Sequence, residues 1–249
     1  RKDAPAKPVT RQHRMAYVGT VTLHDEDGAS LRTIRFGCMP KSDAAVLCEA
    51  MANQAYAWLE RRPSLPLSLL ADGAAEMWNL LEAAFPESMF PDQSRRVDYW
   101  HLIEKLAPAA NLMFGSDATE DELARWKRGL LWRSRAAHEI LAELRKSGLE
   151  SKYVGDGKPV HDAITYLENH SERMDYASAR RKKLPIGSGN VEATCKTLVA
   201  VRMKRSGARW KERTGEHVLS LRALAMSDRW DSGMAALHES RRRSVKRAA

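Results

Sequence analysis

Residues 184–196, Leu-Pro-Ile-Gly-Ser-Gly-Asn-Val-Glu-Ala-Thr-Cys-Lys, constrain the fold of this chain more than any other stretch. Two glycines separated by a serine, followed by a run free of Gly and Pro, predict a tight turn that feeds a helix. Glu192 falls in the first turn or so of that helix. A second acid, Asp72, ends a short apolar run far upstream. A fold that unites two such carboxylates has to wrap the intervening residues around one crevice. Hard divalent cations take oxygen ligands from several elements at once, so this pattern points to metal-assisted chemistry on phosphate.

Charge is segregated along the chain. The net charge is +9, yet residues 180–249 hold 18 Lys/Arg against 6 Asp/Glu, or +12, which leaves −3 on residues 1–179. The C-terminal third is therefore the expected contact for a polyanion, with double-stranded DNA as the partner. Apolar residues make up 43% of the 249, enough for one large core or two small ones. Cys38, Cys48 and Cys195 show no CxxC spacing and an odd count, which argues against a disulfide framework or a zinc site. They fit an intracellular protein, with a cytoplasmic, nucleoid-associated location as the expectation. No apolar run reaches membrane-spanning length and no signal peptide precedes the first strand, so no membrane partner is expected. An opening Arg1 in place of Met suggests a fragment.

Residues 1–13 contain two prolines and no periodicity, which reads as a lead-in arm. Alternation then begins: Met15, Tyr17, Gly19, Val21 and Leu23 share one face of a strand. Asp27-Gly28 supplies turn chemistry, and residues 31–36 return as the second strand of a hairpin. Ser42 is placed to cap a helix with the apolar stripe Val46, Cys48, Ala52, Ala55, Tyr56 and Leu59, ending before Pro63. Residues 65–70 read as a buried strand closed by Ala71-Asp72-Gly73, and residues 74–84 as a helix. Asp72 is thus expected at a sheet edge facing a ligand crevice, although Asp-Gly before a helix is also an ordinary turn and cap. Residues 97–101 repeat the arrangement, a short strand ending in polar groups before a helix over residues 102–106. Asp98 and His101 there could contact metal or brace the site through hydrogen bonds.

Residues 117–183 differ in kind. Thr119-x-x-Glu122 reads as a capping box, and Leu123, Trp126, Leu130, Ala137, Leu141 and Leu144 repeat at helical spacing, predicting one long amphipathic helix to Gly148. Pro159 opens another helix that fades near Arg173. His138, His161 and His170 have no HxxxH or HExxH relation and read as surface or packing histidines.

In order and spacing, the elements resemble prokaryotic insertion-sequence transposases with an RNase H-like DDE domain, in a Mutator-like branch. The resemblance is carried by residues 71–74 (Ala-Asp-Gly-Ala) with residues 78–81 (Trp-Asn-Leu-Leu), and by residues 98–101 (Asp-Tyr-Trp-His). Residues 184–189 through Glu192 and Lys196, then Arg202-Met203 and residues 207–210 (Gly-Ala-Arg-Trp), continue it. It implies an α/β fold with a mixed sheet flanked by helices and a helical insertion between the second Asp and the Glu. The corresponding divisions are an arm at 1–13, core at 14–116, insertion at 117–183, core helices at 184–230 and a basic tail at 231–249. The resemblance further implies Asp72 and Glu192 as catalytic metal ligands for Mg²⁺ or Mn²⁺, with Asp98 and His101 supporting them. DNA strand cleavage and transfer at transposon ends and target, by a homo-oligomer, is the implied activity. The family's first catalytic Asp lies on a strand before the hairpin and has no match here. Asp3 is in the Pro-rich arm, and Asp25 and Asp27 are explained by the hairpin tip.

Lys196, Arg202, Lys204, Arg205, Arg209, Lys211 and Arg213 place seven cations within 18 residues, with Trp210 among them as a candidate stacking ring. Solvated helix charges and a core tryptophan are the plain alternatives. Arg241, Arg242, Arg243, Lys246 and Arg247 read as a flexible basic arm. A catalytically inactive DNA-binding or assembly remnant, and an RNase H-like nuclease or resolvase, are the competing functional readings.

Overall fold

The computed structural model describes residues 16–40, 43–206 and 208–248. The expected N-terminal arm, with Asp3, Arg14 and Met15, the Ser42 cap and Gly207 lie outside the described residues.

Strands β1 (Tyr17–His24) and β2 (Ser30–Cys38) form the expected antiparallel hairpin, in register from Tyr17 opposite Cys38 to Leu23 opposite Arg32, with a one-residue shift before His24 opposite Ser30. Its tip is set by Asp25, whose Oδ1 accepts from the amides of Asp27 (3.0 Å) and Ala29 (2.7 Å), and by Gly28 at φ 84°. Helix α1 (Ala44–Arg61) follows, capped by Asp43, whose carboxylate accepts from Ala45 N at 2.9 Å. It buries Leu47, Cys48, Ala52 and Ala55. Val46 and Tyr56, expected on the stripe, are 61% and 48% exposed.

Strand β3 (Ser68–Ala71), helix α2 (Ala75–Ala84) and strand β4 (Ser94–Val97) make a βαβ unit, with β3 and β4 parallel and Ala71 opposite Val97. Parallel neighbours need such a crossover, which places both strands' C-terminal ends on the same side. Helix α3 (Tyr99–Phe114) starts directly after β4 and is far longer than the expected 102–106, because buried Leu102, Leu106, Ala109 and Ala110 carry it past Pro108.

The long helix expected to Gly148 is two helices, α4 (Ser116–Trp132) and α5 (Ala136–Lys146). The Thr119 capping box does not form: Thr119 is already inside α4, and its hydroxyl donates to Gly115 O at 2.6 Å. Helix α6 (Pro159–His170) ends near Arg173 in a single 3₁₀ turn, and α7 (Tyr176–Arg181) leads into the glycine turn. Helix α8 (Gly189–Thr194) continues as a π-helical segment, Cys195–Ala200, and then as α9 (Val201–Met203). Helix α10 (Glu212–Met226) packs on β2, and α11 (Trp230–Ala248) closes the chain. The basic tail read as a flexible arm is thus helical along its backbone.

The architecture is mixed α/β and mainly helical, but one expectation changes. In place of one mixed sheet, the described residues form two separate two-stranded sheets, with no backbone pairing between β1 and β3. A cavity of about 380 Å³ lies between those strands, lined by residues 20–26 and 65–70 in unbroken succession. Lining by consecutive residues places the cavity along the strand edges, since a sheet face would contribute alternate residues. One core nevertheless runs through both parts of the chain, from Trp78, Val97, Leu102 and Leu106 to Trp126, Leu144, Leu167 and Tyr176.

Leu106 is 0% exposed within that shared core. Leu106→Ala is expected to cost about 2–5 kcal/mol, read as a lower urea midpoint at unchanged slope.

Candidate functional site

The site forms where β3 and β4 end. Ala71 O accepts from the Asp98 amide at 2.8 Å, the last backbone link of the parallel pair, so Asp72 and Asp98 leave adjacent strands side by side. Their environments differ. Asp98 is 0% exposed, and its Oδ1 accepts from Trp100 N (2.6 Å) and His101 N (3.1 Å), capping α3. Its Oδ2 accepts from the amide of Ser188 in the glycine turn. A second link, Tyr99 N to Ile186 O at 2.9 Å, fixes the same junction. Asp98 thus accepts from three backbone amides, two in α3 and one in the glycine turn, and ties the two segments together.

The glycine turn and α8 follow from this junction. A Cβ on Gly187 would come within 2.9 Å of Trp100 Cδ1, so glycine is needed for the turn to lie against α3. The Ser188 carbonyl accepts from Glu192 N at 3.1 Å and starts the helix that presents Glu192, which is exposed. Asn190 Nδ2 reaches Thr22 Oγ1 at 3.2 Å, and Lys183 Nζ reaches Asp27 Oδ1 at 2.9 Å, fastening the turn across the hairpin. The Glu192–Lys196 ion pair allowed by their i,i+4 spacing is not formed.

Asp72 is exposed. Its Oδ1 accepts from Ala74 N at 2.9 Å, the ordinary turn role, and its carbonyl accepts from Trp78 Nε1 at 2.8 Å. The turn is held from behind by α6. A Cβ on Gly73 would lie 2.5 Å from Tyr166 Cε2 and 2.8 Å from His170 Nε2, so the missing side chain lets that helix dock. Tyr166 and His170 stack edge to face, with centroids 4.8 Å apart. The Tyr166 hydroxyl and His170 Nδ1 are buried without a hydrogen-bond partner. Burial, then the charges of Asp72, Asp98 and Glu104, push the Tyr166 phenol up. Burial and Arg173 hold His170 below the usual histidine range. His170 is the packing histidine that the spacing implied, while His138 and His161 are exposed. Tyr166 carried no sequence signal, being one aromatic on an amphipathic helix.

His101 lies at the same junction, its amide on Asp98 and its Nδ1 3.2 Å from Glu104 Oε2. Among the described residues no group of three or more His, Cys, Asp or Glu side chains is arranged to hold a metal ion. Asp72 and Glu192 do not complete a metal site between them.

All seven cations of the 196–213 region are exposed. Trp210 is half-buried, with Nε1 donating to Met203 O at 3.2 Å and the Arg202 guanidinium 5.3 Å from its ring centroid, so Arg202 lies where a stacked base would compete. Arg205 Nε returns to Val201 O at 2.9 Å. The π-helical segment carries Lys196 outward, and Arg222 of α10 caps its carbonyls, Nη2 to Thr197 O at 2.7 Å and Nε to Leu198 O at 3.2 Å. No helix among the described residues is long and apolar enough to cross a membrane.

Asp98→Ala removes three amide contacts and leaves buried donors unpaired, so a loss of about 2–4 kcal/mol in unfolding free energy is expected. Faster amide exchange at residues 186–190 would locate the damage in the glycine turn, and an unchanged turn would show that Asp98 does not hold it. No protein-family model, curated protein or solved structure matches the chain, so the site is read from its own geometry.

Proposed function

We propose that this chain is catalytic-domain material of a DDE-type transposase, acting in metal-dependent DNA strand cleavage and strand transfer for an insertion sequence. One observation carries the reading. A continuous set of hydrogen bonds runs from Ala71 through Asp98 and Ser188 to Glu192, linking the Asp72 turn to the helix that bears the second acid. Carboxylates from a strand end and a helix start are the ligand types that Mg²⁺ or Mn²⁺ takes in phosphoryl transfer. Such ions polarise a phosphoryl oxygen and activate the attacking hydroxyl or water. The exposed cations at 196–213 fit the accompanying phosphate contacts, and an assembled homo-oligomer on paired DNA ends is part of the same proposal.

The reading needs one more acid. In the resembled family it rides on a strand ahead of the hairpin, and the cavity along the β1 and β3 edges offers that strand two partners in an RNase H-like mixed sheet. The incomplete metal group among the described residues favours a second reading for the chain taken alone, a DNA-binding or assembly remnant without catalysis.

One measurement separates these readings and a second tests the DNA contact they share. Residues 1–249 are expected to show no Mg²⁺- or Mn²⁺-dependent nicking of plasmid DNA. An added N-terminal strand bearing an acid is expected to restore it, provided Asp72 and Glu192 are intact. Robust cleavage by the chain alone, abolished by Asp72→Ala, would overturn this expectation and turn attention to Asp98. In duplex-binding titrations, Ala at Arg202, Arg205 and Arg209 should lower affinity and reduce the slope of log affinity against log salt by up to about 3. Unchanged affinity and slope would remove residues 196–213 from the DNA contact.

A further inference from the structure

Trp100 is the exposed aromatic that the fold places at the acid site. It is the second residue of α3, its amide bonded to Asp98 Oδ1 at 2.6 Å, and it remains 56% exposed. Exposed tryptophans are common, but this one is held in place. Its ring meets Tyr99 edge to face, with centroids 5.1 Å apart and planes at 81°. Tyr99 is itself buried against Tyr176, centroids 5.3 Å apart. The contact with Gly187 is made by the pyrrole edge, Cδ1 and Nε1, at 2.9 and 3.1 Å from where a Cβ would stand. An edge contact with more than half of the residue exposed leaves ring face open to solvent. The indole is thus a rigid platform between the glycine turn that leads to Glu192 and the strand end beside Asp72.

Two other candidates are weaker. Trp132 is 63% exposed, but the Arg180 guanidinium stacks 3.5 Å from its ring centroid. Trp210 has its indole N–H committed to a carbonyl. Trp100 combines a free face, a fixed orientation and a place at the junction of Asp98 and the glycine turn.

We propose that Trp100 stacks an unpaired nucleobase at the acid site, so that the chain prefers DNA with frayed or single-stranded ends over continuous duplex. The proposal rests on the DNA reading given above. Every base has a π face, so an aromatic platform captures unpaired nucleotides without regard to sequence, while in intact duplex those faces are occupied by neighbouring bases. Phosphate contacts through the 196–213 cations would serve both substrates equally.

The test uses the 249-residue chain with two probes, a blunt duplex and the same duplex with a short unpaired 3′ end carrying 2-aminopurine. Wild-type protein should bind the frayed probe more tightly and quench its fluorescence. Trp100→Ala should lose about tenfold on the frayed probe, within the range for one stacked base, with duplex affinity and melting temperature little changed. Trp100→Phe should recover most of the loss. Equal affinity of wild type for both probes, or absence of quenching, overturns the proposal without using a variant. Equal weakening of both probes by Trp100→Ala overturns it too. So does a changed oligomeric mass with fork preference intact, which would make Trp100 a protein contact. If wild type binds neither probe, the DNA reading itself falls. If it binds both without preference, only the role of Trp100 falls.

Discussion

The Asp98 carboxylate is the interaction on which the rest of the site depends. It is fully buried at the point where β4 ends, α3 begins and the glycine turn passes, and it accepts from an amide on each side of that junction. A buried ion without partners costs several kcal/mol, whereas charge-assisted bonds from backbone amides offset that cost and fix direction. Three donors from two segments distant in sequence therefore act as a geometric lock. Glu192 inherits its place from that lock, because α8 begins at the Ser188 carbonyl. Asp72 inherits its place from the parallel pairing that delivers Asp98 beside Ala71.

The helical block supports the same centre from behind. Gly73 admits Tyr166 and His170 of α6 against the Asp72 turn, and Arg173 bonds Glu82 at 2.8 Å while lying 4.5 Å from the centroid of the Trp78 ring on α2. Trp78 in turn donates to the Asp72 carbonyl. These contacts join α6 to the βαβ unit through one shared core, so the block positions the acid turn as well as filling sequence between the two acids. The buried, unpartnered Tyr166 hydroxyl is a polar donor left within the field of Asp72 and Asp98.

On the basic side, local geometry decides which cations are free. Arg202 is drawn to Trp210 and Arg205 to its own helix backbone, while Lys196 is carried outward on a π-helical segment whose loose carbonyls Arg222 satisfies. Sequence clustering alone treats these side chains as equivalent. Their differing contacts make them unequal in what they can give to a polyanion.

Local chemistry made much of this protein legible in its sequence. The hairpin follows from alternation plus the Asp25 to Gly28 tip, the strand and helix on either side of Asp72 from an apolar run ending in Asp-Gly, and α8 with Glu192 from the glycine turn. These signals act over a few residues, where turn propensity and side-chain period dominate. Three readings needed more than that. The split of the long helix into α4 and α5 keeps the same apolar period on both sides, so periodicity did not register the break. The length of α3 was hidden by Pro108, which burial of its neighbours outweighs. The sheet divides in two because strand pairing is a long-range contact that no local pattern specifies. The sequence by itself determined which residues are acids at element ends and where the positive charge is concentrated. Only the tertiary structure decided that Asp98 is buried against three amides while Asp72 and Glu192 stay exposed, because that difference depends on which segments, remote along the chain, arrive within hydrogen-bonding distance.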